Sequence, residues 1–205
     1  MPKYLLCAFT LVILCATVTT AQVVDDPELM GYARLGQSMV FADDVRRAPG
    51  FGFGFRRELE TFAIDVSFLN LALDASLSDD QREMAAGSLL KIQGLRFLSS
   101  DAPRSAYLGG GLSWGVVSVG RSIAAGGGAT SWHGSGLQGE LTIGYELARE
   151  SPLRVFVQAE ASAPFFNAHS DTFAYPRAGS IVNTGRQARY IPSVVVSAGV
   201  GWQRH

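Results

Sequence analysis

Gly136–Leu147 reads GLQGELTIGYEL. Leu137, Leu141, Ile143, Tyr145 and Leu147 fall on one parity, and Gln138, Glu140, Thr142 and Glu146 on the other. Alternation with period two marks a strand whose faces meet unlike surroundings. Two architectures offer such surroundings. A soluble barrel or sandwich turns its apolar face to a core and its polar face to water. A membrane barrel turns its apolar face to lipid and its polar face to the lumen. The rest of the chain decides between them.

The same alternation recurs along the chain. TFAIDVSFLNL sets Phe62, Ile64, Val66 and Phe68 against Ala63, Asp65 and Ser67. LRVFVQAEA sets Leu153, Val155, Val157, Ala159 and Ala161 against Arg154, Phe156, Gln158 and Glu160. PSVVVSAGVGW sets Val194, Val196, Ala198, Val200 and Trp202 against Ser193, Val195, Ser197, Gly199 and Gly201. YLGGGLSWGVV and GFGFGFR add Leu108, Leu112, Trp114, Phe51, Phe53 and Phe55 opposite glycine, serine and Arg56. YARLGQSMVF and SLLKIQGLRF complete a set of eight, with Gln37 and Arg96 falling on the apolar side of their strands. The connections after the second, fourth and sixth strands are short: 57–60, 99–105 and 148–152. The others run mostly longer and polar or glycine-rich, notably LDASLSDDQREMAAG, GRSIAAGGGATSWHGSG and 162–187. Short turns alternating with long loops are the pattern of an up-and-down barrel whose two rims face different compartments. Aromatic residues near strand ends, Phe51, Trp114, Tyr145, Tyr190 and Trp202, fit interfacial girdles.

A charge at the bilayer midplane costs roughly 2–4 kcal/mol, somewhat less for a carboxylate. Several would consume most of a stability of roughly 5–15 kcal/mol. Asp65, Lys91, Glu140, Glu146, Arg154 and Glu160 all oppose the apolar stripe of their own strands. In the lumen they can pair, with Arg189 and Arg56 as further cations; in lipid they cannot. The mature chain carries one lysine, Lys91, where a soluble barrel's outer face is usually crowded with Lys and Glu. The expected architecture is therefore an all-β, eight-stranded antiparallel transmembrane barrel with its apolar face outward; a soluble lipocalin-like periplasmic binding barrel is the inverse arrangement. A tight turn centred near Glu150 would set Glu146 beside Arg154 and Glu140 beside Glu160, a lumen ion network that plugs the barrel.

Residues 1–21 read as a secretory signal: Lys3, an apolar run from Tyr4 to Val18, then Thr19-Thr20-Ala21 before cleavage. Residues 22–205 form the barrel domain. Both cysteines, Cys7 and Cys15, lie in the signal, so no disulfide or cysteine-based metal site is expected in the mature chain.

With YLGGGLSWGV, GLQGELTIGYEL, LRVFVQAE and the final VVVSAGVGW, the chain resembles the small eight-stranded outer-membrane barrels, the group of the outer-membrane protein A transmembrane domain and outer-membrane protein X. The resemblance implies contact with outer-membrane lipid and lipopolysaccharide. It also implies insertion by the barrel-assembly machinery, which reads a final strand ending in an aromatic residue. Trp202 matches, although Gln203-Arg204-His205 follow it. No cell-wall-binding domain is expected after the barrel.

Some barrels of this kind modify lipid A, and the deacylases carry a His-x-Ser pair with a nearby acid. His133 and Ser135 in WHGSG are the counterpart here, read as loop residues, with Glu140 on the opposite parity. AHSD (168–171) is a polar loop. AAGGGATS lacks the lysine of a phosphate-binding loop. The three histidines lack metal-site spacing, and the near-neutral charge gives no nucleic-acid footprint. No catalytic activity and no cofactor are expected. The role is structural, or one of surface interaction through the long loops, whose last member holds Phe165, Phe166, Phe173 and Tyr175.

Overall fold

The computed structural model describes residues 29–42, 45–59, 61–76, 82–99, 102–123, 128–174, 182–183 and 187–204. The expected signal, 1–21, and Tyr175 lie outside them. The strands are β1 (Leu29–Phe41), β2 (Val45–Leu59), β3 (Phe62–Ser76), β4 (Arg82–Phe97), β5 (Arg104–Ile123), β6 (Gly128–Leu147), β7 (Leu153–Pro164), β8 (Ala168–Ala174), β9 (Val182–Asn183), β10 (Ala188–Arg189) and β11 (Ser193–Arg204). Eight of them close an antiparallel barrel: each of β1 to β6 pairs with the next, β7 pairs with β11, and β11 returns to β1.

Each alternating stretch forms a barrel strand with its apolar parity outward. Leu141 is 70% exposed, Ile143 58% and Val157 50%, whereas Asp65, Glu146 and Arg56 are fully buried. A soluble barrel would invert this, and here the membrane arrangement is the one formed. Gln37 and Arg96 do lie on the outer face. The phase of β4 is carried through an irregularity: its register with β5 shifts between Ser88 and Leu90, so exposed Leu89 is an extra residue. Gly87 beside it has φ 152°, a backbone conformation that glycine adopts without strain.

The long loops are shorter than the sequence suggests, because their flanks continue as strand. β5 and β6 are 20 residues each. At ~3.3 Å per residue such a strand is ~66 Å long, well beyond a lipid-facing band ~25 Å tall even when tilted. WHGSG is therefore strand, not loop. AHSD lies in β8, which continues β7 along β6 in unchanged register after a break at 165–167.

In this extension the amphipathic pattern reverses. Below it, Leu108, Leu112 and Trp114 of β5 face out; above it, Val117 and Val119 face in and are at most 8% exposed. On β6, Leu137 faces out, while Trp132 is buried inside and His133 and Ser135 are exposed outside. Val40, Ala48, Ala86, Val117, Val119, Trp132, Ala168 and Ile191 form an apolar cluster inside this end, with Phe166 packed against it. Such a core has apolar residues inside and polar ones in water, so the reversal marks where hydrocarbon gives way to solvent.

Inward glycines make room for large lumen side chains on the adjacent strand. A Cβ on Gly144 would meet the Tyr107 ring, and one on Gly199 the Phe156 ring. Gly144→Val should therefore lower stability by about 1–3 kcal/mol through overpacking. Gly31→Ala, where the new atom would sit 3.6 Å from Phe55, should change little. Urea unfolding of both variants in lipid vesicles checks the contrast.

Candidate functional site

The lumen is the site that the strands build. Among the described residues, the buried ionisable side chains of opposite charge are five cations (Arg34, Arg56, Lys91, Arg149, Arg154) and five carboxylates (Glu58, Asp65, Glu140, Glu146, Glu160). Their formal charges cancel, so this set carries no net charge into the membrane.

Six of the ten form one chain of alternating sign. Asp65 bonds Arg56 Nε at 3.0 Å, and Arg56 Nη1 bonds Glu146 at 2.6 Å. Glu146 in turn accepts from Arg154 at 3.1 Å. Arg154 also pairs with Glu58, which accepts from Arg149 Nη2 at 2.8 Å. Every interior member thus has an opposite charge on each side, the condition under which buried ions are tolerated. Arg56 is also enclosed by rings: its guanidinium carbon lies 5.7, 5.0 and 5.2 Å from the centroids of Tyr32, Tyr107 and Phe156. The rings exclude water while their faces attract the cation. Tyr32 donates its hydroxyl to Asp65 at 2.8 Å, and Tyr107 donates to Gln158 at 2.8 Å.

Arg149 belongs to the β6–β7 turn, where Ala148 takes a left-handed φ of 56°. The Arg149 side chain reaches back under the barrel, donates to Ser99 O at 2.9 Å and lies 4.1 Å from the Phe97 ring centroid. Its backbone N–H bonds Pro103 O at 2.9 Å. One residue so ties the ends of β2 and β4 to the turn after β6.

Higher in the lumen Glu160 pairs with Lys91 and, at 2.8 Å, with Arg34. Glu140 accepts from Ser113 at 2.5 Å, Ser162 at 2.7 Å and Gln138 at 3.1 Å. Hydroxyls and an amide thus satisfy a carboxylate that has no adjacent strand cation.

Of the residues singled out in the sequence, Asp65, Lys91, Glu140, Glu146, Arg154 and Glu160 meet here. Arg189 does not: it lies on β10, paired with Ala168 of β8 beyond the lumen. The β6–β7 register is offset by two from the expected one. Glu146 stands opposite Phe156 and reaches Arg154 diagonally, and Glu140 stands opposite Ser162 rather than Glu160. Arg34, Glu58 and Arg149 were not anticipated. Arg34 sits in YARLGQSMVF, where Gln37 on the apolar side leaves the inward face undecided, and the other two read as turn residues. Phe51, Trp114, Tyr145, Tyr190 and Trp202 are all exposed. Tyr145 and Trp202 lie toward the short-turn end, Trp114 and Tyr190 toward the other. Phe165 is 69% exposed, whereas Phe166 turns inward over Gly134 and Gly136.

His133 and Ser135 share the outer face, but the hydrogen-bond partner of His133 Nδ1 is Ser118 Oγ at 3.0 Å. Glu140 points into the lumen, so the His-x-Ser pair is not completed by that acid.

Solved structures share this fold. Ail, the attachment invasion locus protein of Yersinia pestis, matches at a TM-score of 0.55 and 13% identity, over 87% of this chain and 99% of its own. Neisserial surface protein A matches at 0.54 and 12%, over 85% and 96%. The N-terminal β-barrel domain of Pseudomonas aeruginosa OprF matches at 0.51 and 9%, over 87% and 98%. No family model matches the chain, and no curated protein matches it in sequence.

Proposed function

We propose that this chain, an eight-stranded barrel of the outer-membrane type, is a closed, non-catalytic barrel of the bacterial outer membrane that presents its extended hairpins to the cell exterior. In this reading residues 1–21 direct export and are removed. The strand ending at Trp202 is read by the assembly machinery. The short turns face the periplasm, and lipid and lipopolysaccharide surround the apolar band.

The observation that carries closure is the alternating ion chain from Asp65 to Arg149, all of it buried, with an apolar cluster filling the other end. An ion crossing the lumen would have to displace either a paired charge or packed Val, Trp and Phe side chains. The protein in planar bilayers should show no porin-sized conductance, whereas Arg154→Ala, which takes one of two cation partners from each of Glu58 and Glu146, should lower stability and admit a leak. A wide, steady pore in the unaltered protein would overturn closure.

Surface presentation rests on the β5–β6 hairpin, which stands beyond the apolar band with polar residues outward. Ail and Neisserial surface protein A are named for attachment and for the surface, and the reading places this chain in that class of role. Removing residues 120–131 should leave a heat-modifiable barrel in outer-membrane fractions while abolishing adhesion to host or neighbouring cells.

A further inference from the structure

The reversal of amphipathicity places an unusual set of polar groups on the outer face of the extension. In the antiparallel register His133 of β6 stands directly opposite Ser118 of β5 on one side and His169 of β8 on the other. Both histidines are exposed. The chain has three histidines in all, and the β7–β8 continuation brings two of them, far apart in sequence, to one spot.

Directly opposed residues of an antiparallel pair have Cβ atoms about 4.5–5.5 Å apart. Two imidazoles at that spacing can converge on one ion at Zn–N-type distances of about 2.0–2.1 Å. The Ser118 contact supplies the second element. The 3.0 Å approach of Ser118 Oγ to His133 Nδ1 lets the hydroxyl accept the Nδ1 proton. That leaves the Nε2 lone pair free, the outer-sphere arrangement that orients metal-binding histidines.

We propose that His133 and His169 form a two-histidine site for a divalent transition-metal ion (Cu²⁺, Ni²⁺ or Zn²⁺), with Ser118 as the residue that positions His133. Imidazole suits these ions, and Ca²⁺ or Mg²⁺, which prefer oxygen, are not held. Water completes the coordination, so the ion exchanges with solvent. By bridging β6 and β8 it staples the broken strand to the long hairpin.

The test is isothermal titration of CuCl₂ and NiCl₂ into the untagged mature chain in detergent micelles. One equivalent of Cu²⁺ should bind, more tightly than Ni²⁺. His133→Ala and His169→Ala should each weaken it at least tenfold. Ser118→Ala should weaken it less, and His205→Ala should leave it unchanged. Gel mobility before and after heating establishes that each variant is folded, and if one histidine variant fails to fold the other decides. Thermal unfolding gives a second readout: Ni²⁺ should raise the transition temperature of the parent and not of His169→Ala. Binding unaffected by either histidine substitution, binding lost only in His205→Ala, or no binding at all would overturn the site.

Discussion

Arg56→Met unfolds about 3–5 kcal/mol more readily than the parent, the expected result for removing one partner of a buried ion pair. Arg56 is an interior link of the ion chain, holding Asp65 on one side and Glu146 on the other. Without it both carboxylates stay in a lumen from which water is excluded by Tyr32, Tyr107 and Phe156. Methionine fills much of the vacated volume, so the loss reports on charge more than on a cavity. Asp65 keeps only the neutral donors Tyr32 and Gln93, and Glu146 keeps Arg154. Adding Asp65→Asn removes the stranded charge and should recover a large part of the stability. That non-additivity is the signature of groups acting as one network. Urea unfolding in lipid vesicles, followed by tryptophan fluorescence, measures both steps. A double variant no better than Arg56→Met alone would mean that packing around the rings, not charge pairing, sets the energy.

The sequence displays this architecture because one physical rule acts on every strand of the band. Lipid admits no ionised side chain cheaply, so parity separates Leu141 from Glu140 and Val157 from Glu160 without reference to any partner. Parity orients six of the strands; in β1 and β4, where Gln37 and Arg96 fall on the apolar side, it leaves the phase open. It was not enough where the solvent changes. Above Trp114 and Leu137 the outside is water, the rule reverses, and Ser118, His133 and Ser135 become acceptable outer residues of a continuing strand. Glycine and serine favour loops, so WHGSG reads as the end of a strand although the strand continues through it. The sign of alternation flips from Trp114 outward to Val117 and Val119 inward, and that flip was present in the sequence as a marker of the membrane surface.

The ion network was legible as a set of inward charges but not as a set of pairs. Pairing depends on register, and register depends on the turn. With Ala148 in the left-handed region, the β6–β7 connection moves the pairing by two residues, which puts Glu140 against Ser162 instead of Glu160. Glu140 therefore takes its bonds from hydroxyls and an amide, and no sequence spacing foretold that. Arg149 illustrates the converse: a turn arginine looks solvated until the closed barrel brings Glu58, Ser99 and Phe97 beneath it.

Leu141→Arg tests the orientation on which the other arguments stand. Leu141 is 70% exposed in the middle of the apolar band, between Gly110 of β5 and Ala161 of β7. Facing hydrocarbon, an arginine there should cost about 2–4 kcal/mol of stability in lipid vesicles. Ser135→Arg is the matched control. It lies on the same strand and the same outer face, but beyond the reversal, where water solvates the charge and the change should stay within about 0.5 kcal/mol. Both variants place the same side chain on the same face of one strand, so the difference between them reports chiefly on what surrounds the charge. It should also shrink as the lipid chains are shortened, since a thinner bilayer brings the charge closer to the interface. Equal stabilities would put water on the Leu141 face, and ten buried charges would then be left without the membrane as the reason they are inside.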